Sequence, residues 1–140
     1  MSTDSPENYL SSINAARSNV GVAPLSWDND LAEYAQLYAE QRSGDGTLIK
    51  SGGPYGECLF RGVGQHYSAA DVVASFLSGK EYYDYPTNSC QPDQDCRNYT
   101  QLVWRDTTRM GAGKVICDDG TTFVVLSFDP PGNFDGEWPY

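Results

Sequence analysis

Residues 122–128, Thr-Phe-Val-Val-Leu-Ser-Phe, form an almost uninterrupted apolar run. Asp119-Gly120 stand just before it, and residues 112–117 form a second β-prone stretch before that turn, so the segment reads as an antiparallel hairpin. A hairpin with one wet face alternates apolar and polar residues. This one does not, so its second strand is expected to be covered on both faces. Few small folds satisfy that demand, and the rest of the chain has to supply two covering layers.

The covering layers read as helices. Ser5 and Pro6 suit an N-cap and a first helical residue, and Leu10, Ile13 and Ala16 then recur at helical spacing up to Gly21. Asp28 or Asn29 caps a second helix with an inner face of Leu31, Tyr34, Ala35 and Tyr38. Gly52-Gly53-Pro54 breaks the chain before an extended segment, Tyr55–Arg61. Ser68-Ala-Ala-Asp71 is a capping box that opens a third helix with Val72, Val73, Phe76 and Leu77. Asn98–Trp104 forms a short fourth helix with Leu102 and Val103 inward, after a loop from Gly79 to Arg97. The tail Pro130–Tyr140 is expected to be irregular. The expectation is a single α+β domain over residues 1–140, a three-layer sandwich around a small antiparallel sheet.

Nine Lys plus Arg oppose nineteen Asp plus Glu, a formal net charge of −10, spread evenly along the chain. That balance excludes nucleic acid, whose phosphates need a basic footprint, and argues against docking on anionic lipid. Ten Tyr and 13% aromatic residues exclude disorder, and no apolar run approaches the ~18 residues of a membrane span. The N-terminus has no basic region followed by an apolar stretch, so either the chain is cytosolic or a signal peptide has been removed. Four Cys with a single His, His66, make a poor zinc set. Two disulfides in an oxidising compartment fit better.

Residues 98–113 read Asn-Tyr-Thr-Gln-Leu-Val-Trp-Arg-Asp-Thr-Thr-Arg-Met-Gly-Ala-Gly. This resembles the signature of the CAP superfamily (cysteine-rich secretory proteins, antigen 5, pathogenesis-related class 1), whose pattern there is His-Tyr-Thr-Gln-x-x-Trp followed by Gly-Cys-Gly. Asn14-Ala-Ala-Arg17, Leu25-Ser-Trp-Asp28, Ser51-Gly-Gly-Pro-Tyr-Gly-Glu57, Tyr83-Asp-Tyr85 and Pro131-Gly-Asn133 match other family motifs in order and spacing. The chain thus resembles a pathogenesis-related class 1 protein of plant or fungal type. The resemblance implies the α–β–α sandwich and a secreted, extracellular protein whose signal peptide is absent from this sequence.

The resemblance also implies site residues. It pairs Cys90 with Cys96 and gives Cys117 a partner upstream of Gly52-Gly53-Pro54; that partner is absent here and Cys58 is available, so Cys58–Cys117 is the second expected disulfide. A third family disulfide falls on Ala112 and Ser127, both lost. The family's tetrad of two His and two Glu, which holds a divalent metal in some members, falls on Lys50, Glu57, Gly79 and Asn98. One carboxylate, one ammonium, one amide and one glycine cannot hold zinc or supply an acid and a base, so neither metal nor catalysis is expected. Lys50 and Glu57 admit two readings. Either the ammonium pairs with Glu57 in place of the metal, or Glu57 bonds loop backbone while Lys50 points into water. His66 reads as a surface residue. The sequon Asn98-Tyr99-Thr100 starts a motif that should be packed, and is expected to be unused.

Binding is therefore the expected role, with no cofactor, no nucleic acid partner, no transmembrane segment, and a monomeric chain. The family's sterol loop falls on Tyr83, Tyr85 and Cys90, but Pro86–Asp95 is polar and makes a poor apolar floor. A fatty-acid groove would draw on Leu10, Ile13, Leu102 and Val103, which also suit a core. The alternative is an effector or defence protein acting on a host or microbial protein partner. It includes release of a C-terminal signalling peptide by cleavage at Asp129–Pro130, against which stands a tail that caps the sheet with Phe134 and Trp138.

Overall fold

The computed structural model describes residues 5–140. The first four residues, on which the reading of the N-terminus rested, lie outside the described residues.

The chain runs α1 (Pro6–Asn19), β1 (Ser26–Trp27), α2 (Asn29–Gln41), β2 (Gly56–Gly62), α3 (Ala69–Leu77), a 3-10 turn, β3 (Tyr83–Asp84), β4 (Ser89–Cys90), α4 (Arg97–Leu102), β5 (Arg109–Ile116) and β6 (Thr122–Asp129). Four strands form one sheet in the order β1-β5-β6-β2. The β2–β6 and β5–β6 pairings are antiparallel, whereas β1 runs parallel to β5. The expected antiparallel sheet is therefore mixed. Its parallel edge arises because the two residues between the first helices join the sheet in passing, held by Ser26 N–H to Thr108 O and Asp28 N–H to Met110 O.

β6 lies inside this sheet and is buried over seven of its eight residues. One face carries Val124, Leu126 and Phe128 against Ile13 of α1, Val72, Val73 and Phe76 of α3, and Leu102 of α4. The other carries Phe123 and Val125 against Ala35 and Ala39 of α2. This is the three-layer α–β–α sandwich that the apolar run demanded. Helix α2 lies so close to β5 that a Cβ on Gly111 would stand 2.1 Å from Ala32 N, and one on Gly113 would stand 2.4 Å from Gln36 Cα. Glycine at these two positions is what lets the layers touch.

The starts of α2 and α3 follow their sequence signals, whereas Ser5 precedes α1 without a side-chain capping bond. The Asp28 carboxylate accepts from Asp30 N–H and Leu31 N–H to cap α2. Ser68 and Asp71 make both arms of the capping box on α3. The α1 face is shifted from the expected one, since Tyr9, Ile13 and Arg17 are buried at spacing i, i+4, i+8. Arg17 is 1% exposed and donates four hydrogen bonds to carbonyls. Asn14 fixes the same corner by exchanging two hydrogen bonds with the Leu25 backbone.

Cys90 and Cys96 are joined by a disulfide. The expected Cys58–Cys117 bond is absent, and both thiols are free and buried. Cys58 belongs to the core on the α1/α3 face, Cys117 to the core on the α2 face, so the sheet stands between them. Their thiols point instead at the carbonyls of Asn98 and Arg42. Register also corrects the lost pair. Ala112 lies opposite Leu126, and Ser127 opposite Gly111, so side chains at 112 and 127 project from opposite faces.

Candidate functional site

Two concavities flank α4, and the C-terminal tail takes part in both. The tail is held along its length. Thr107 Oγ1 donates to Pro130 O, Gly132 N–H to Gln101 Oε1 at 3.0 Å, Asn133 Nδ2 to Arg97 O at 2.8 Å, and Arg105 N–H to Pro139 O at 2.7 Å. Its last ring, Tyr140, stacks on Tyr85 with centroids 4.8 Å apart, and Trp138 Nε1–H donates to Tyr85 O. The tail thus docks on α4 and on the β3–β4 hairpin. It does not cap the sheet with Phe134 and Trp138, which are 52% and 49% exposed. Sequence reasoning missed this destination because the anchors are a buried proline, a terminal tyrosine and backbone groups, none of which is a periodic apolar signal.

The first concavity, a groove of about 310 Å³, lies between the Cys90–Cys96 loop and the tail. Tyr83, Trp104, Phe134 and Pro139 supply its apolar lining, and Asn88, Asp95, Arg97 and Glu137 are among its polar groups. Of the expected loop residues, Tyr83 and Cys90 line it, and they are Cα partners in the β3–β4 pair. Tyr85 stands outside, committed to Tyr140. Burial and the neighbouring Tyr140 hydroxyl push the Tyr83 phenol up to about 12. Of the positions considered for a fatty-acid groove, Ile13, Leu102 and Val103 are fully buried in the core and Leu10 is half-buried against it.

The second concavity, about 210 Å³, is bounded by the Lys50–Gly53 segment, the start of β2, α4 and residues 131–133 of the tail. Here the loop is positioned by α2. Tyr38 donates its hydroxyl to Ile49 O, and Tyr34 OH lies 2.7 Å from Ser51 Oγ. These two tyrosines are half-buried, because their rings run past the helix toward this loop. Ser51 then serves Glu57. Its N–H and its Oγ–H donate to the two carboxylate oxygens, each at 2.7 Å. Among the described residues Lys50 makes no ion pair with Glu57. The second reading of this pair therefore holds, with Glu57 bound to loop backbone and Lys50 exposed.

The structure brings Lys50 and Glu57 to this cleft and leaves Gly79 and Asn98 outside it. Gly79 is buried on the 3-10 turn, where an added Cβ would meet Tyr99 Cβ at 3.2 Å. Asn98 lends its carbonyl to the Cys58 thiol at 3.8 Å. No group of His, Cys, Asp or Glu able to hold a metal exists among the described residues. Both Glu57 oxygens are already committed, and Lys50 has no lone pair to give, so the tetrad positions do not fit a divalent cation. Residues missed by sequence reasoning are Arg97, Gln101 and Asn133, which line the cleft from α4 and the tail. Gln101 and Asn133 lay inside quoted motifs without an assigned role.

The family model described as the Cysteine-rich secretory protein family, CAP, matches residues 10–128. The chain belongs to the CAP family. This CAP protein is 45% identical to pathogenesis-related protein 1A of Nicotiana tabacum over 98% of its length and 82% of the relative's. It is also 45% identical to pathogenesis-related protein PRMS of Zea mays, over 99% of its length and 84% of that relative. Among solved structures, venom allergen-like protein 4 of Schistosoma mansoni superposes with a TM-score of 0.68. That match has 23% identity and covers 95% of this chain and 89% of the other, which shows the shared fold. The sequence places the protein in the pathogenesis-related branch, and the sandwich is that of the family.

Proposed function

We propose that this chain is a secreted, non-enzymatic binding protein whose ligand is an amphipathic lipid, of sterol or fatty-acid type, seated in the groove between the disulfide loop and the tail. The observation that carries the reading is the groove itself. At about 310 Å³ it reaches the lower end of the range for small-molecule sites, and Tyr83, Trp104 and Phe134 give an apolar floor within a polar rim. A ligand with one apolar body and one polar head matches that division. Secretion is supported by the family description and by the Cys90–Cys96 disulfide, a feature of oxidising compartments. A non-catalytic role is supported by Glu57, whose carboxylate is tied up by Ser51 and has no second carboxylate beside it in the cleft.

The tail's hydrogen bonds weigh against the peptide-release alternative, because the bonds from Thr107 and Thr108 hold both sides of the Asp129–Pro130 junction. The test is titration of the oxidised protein with a fluorescent sterol and a fluorescent fatty acid. Saturable uptake is expected, weakened about tenfold by Phe134→Ala, which deletes about 1.4 kcal/mol or more of apolar contact. Trp138→Ala, outside the groove, should bind as the parent does. No saturable uptake of either probe overturns the reading.

A further inference from the structure

The second cleft has a charge balance opposite to that of a metal site. Three of its neutral polar side chains are already spent in hydrogen bonds. Gln101 donates to Thr107 Oγ1 and accepts from Gly132 N–H. Asn133 accepts from Thr100 Oγ1 and donates to Arg97 O. Ser51 donates to Glu57, which leaves that carboxylate satisfied and 7% exposed. What remains unspent, beside the Tyr55 hydroxyl, are two cations. The Lys50 side chain makes no ion pair or hydrogen bond among the described residues, and the Arg97 guanidinium meets only Asp135, at 3.2 Å in a solvent-exposed pair. Such pairs contribute little and yield readily to a better partner. Two of the nine basic residues of a chain with net charge −10 therefore line one concavity.

We propose that the cleft between Lys50 and Arg97 is a binding site for a small oxyanion, a carboxylate or phosphate carried on a polar body no larger than a monosaccharide. The guanidinium can hold two oxygens of such a group in parallel, and the ammonium adds a mobile point charge. The size limit follows from the volume. About 210 Å³ is the share of about seven water molecules at about 30 Å³ each. This cleft shares Arg97 and Asn133 with the lipid groove, whereas Lys50 lines the cleft alone, so Lys50→Gln reports on the cleft without touching the groove.

The test is an amide chemical-shift titration of the full oxidised chain. Inorganic phosphate and glucose 6-phosphate form one arm, acetate and glucuronate the other, and glucose is the uncharged control. Saturable shifts at the Ser51, Gly53 and Gly132 amides are expected for at least one arm, and whichever arm saturates identifies the oxyanion. Affinity should fall at least tenfold in Lys50→Gln and in Arg97→Gln, and several-fold between about 20 and 200 mM salt. Both side chains are exposed, and the spectrum of each unliganded variant reports its own folding. Three outcomes overturn the proposal: no saturable shift with any anion, shifts as large with glucose, or unchanged affinity in both variants, which means an adventitious ion only.

Discussion

Arg17 offers the most exacting test of how this fold is held. Its guanidinium is 1% exposed and has no carboxylate partner in its hydrogen-bond set. Nε donates to Ala23 O at 2.7 Å, Nη1 to Leu102 O and Trp104 O at 2.9 Å each, and Nη2 to Thr107 O at 2.8 Å. Burial, with a contribution from the like charge of Arg105, lowers its pKa from 12.5 to about 10, so it stays charged at neutral pH. Replacing it by Met keeps the bulk and strands four carbonyls. At about 1–3 kcal/mol for each buried group left unpaired, the gross loss is about 4–12 kcal/mol. The desolvation of the guanidinium, several kcal/mol, is recovered. The net expectation for Arg17→Met is a loss of about 4 kcal/mol. With a urea m-value of about 2 kcal/mol/M, the midpoint falls by about 2 M. Arg17→Lys keeps the charge but cannot reach four acceptors, and should lie between the two. Equilibrium urea unfolding followed by tryptophan fluorescence measures all three proteins. If Arg17→Met loses less than about 1 kcal/mol, the carbonyl network is not what ties α1 to the segment after α4, and the reasoning fails.

Gly113→Ala forces a Cβ to within 2.4 Å of the α2 backbone, which cannot yield as a side-chain tip can. A loss of about 3 kcal/mol, or a drop of about 10 °C in Tm by calorimetry, is expected. Burial raises the pKa of both the Cys58 and the Cys117 thiols. Native protein should therefore leave a thiol reagent unreacted, and denatured, unreduced protein should titrate two thiols. Asp28, Asp45, Asp71 and Asp119 have pKa values held below the ordinary 3.8, chiefly by hydrogen bonds from neighbouring N–H or hydroxyl groups. In acid the unfolded chain binds more protons than the folded one, so the stability these groups give above about pH 4 is lost as pH falls through their folded values. The acid limb of Tm against pH should flatten in Asp28→Asn/Asp71→Asn.

The elements were legible wherever a local rule fixes them. Ser68 and Asp71 announce α3 because a capping box needs only four residues in a row. Asp119-Gly120 announces the hairpin, where Gly120 has φ +88°. The two-residue strands β1, β3 and β4 were not legible, since two residues carry no period. Arg17 was readable as a motif letter but not as a core residue, because nothing local says that three carbonyls from the distant segment 102–107 will converge on it beside that of Ala23. In the same way, Lys50 and Glu57 were placed in one cleft by the family pattern, while the partner of Glu57 turned out to be its near neighbour Ser51.

The sequence by itself determined that the last strand needs two covering layers, which helices supply them, and that the tetrad positions lack the donors for a metal. Each of these rests on residue chemistry or on periodicity within one element. Only the tertiary structure decided which thiols are neighbours, where the tail goes, and which charges face an open cleft. The physical reason is parity and convergence. A shift of one residue along a strand moves a side chain to the opposite face of a sheet, as with Ala112 and Ser127. A cleft is assembled from segments as far apart as Lys50, Arg97 and Asn133, whose common address exists only once the layers are stacked.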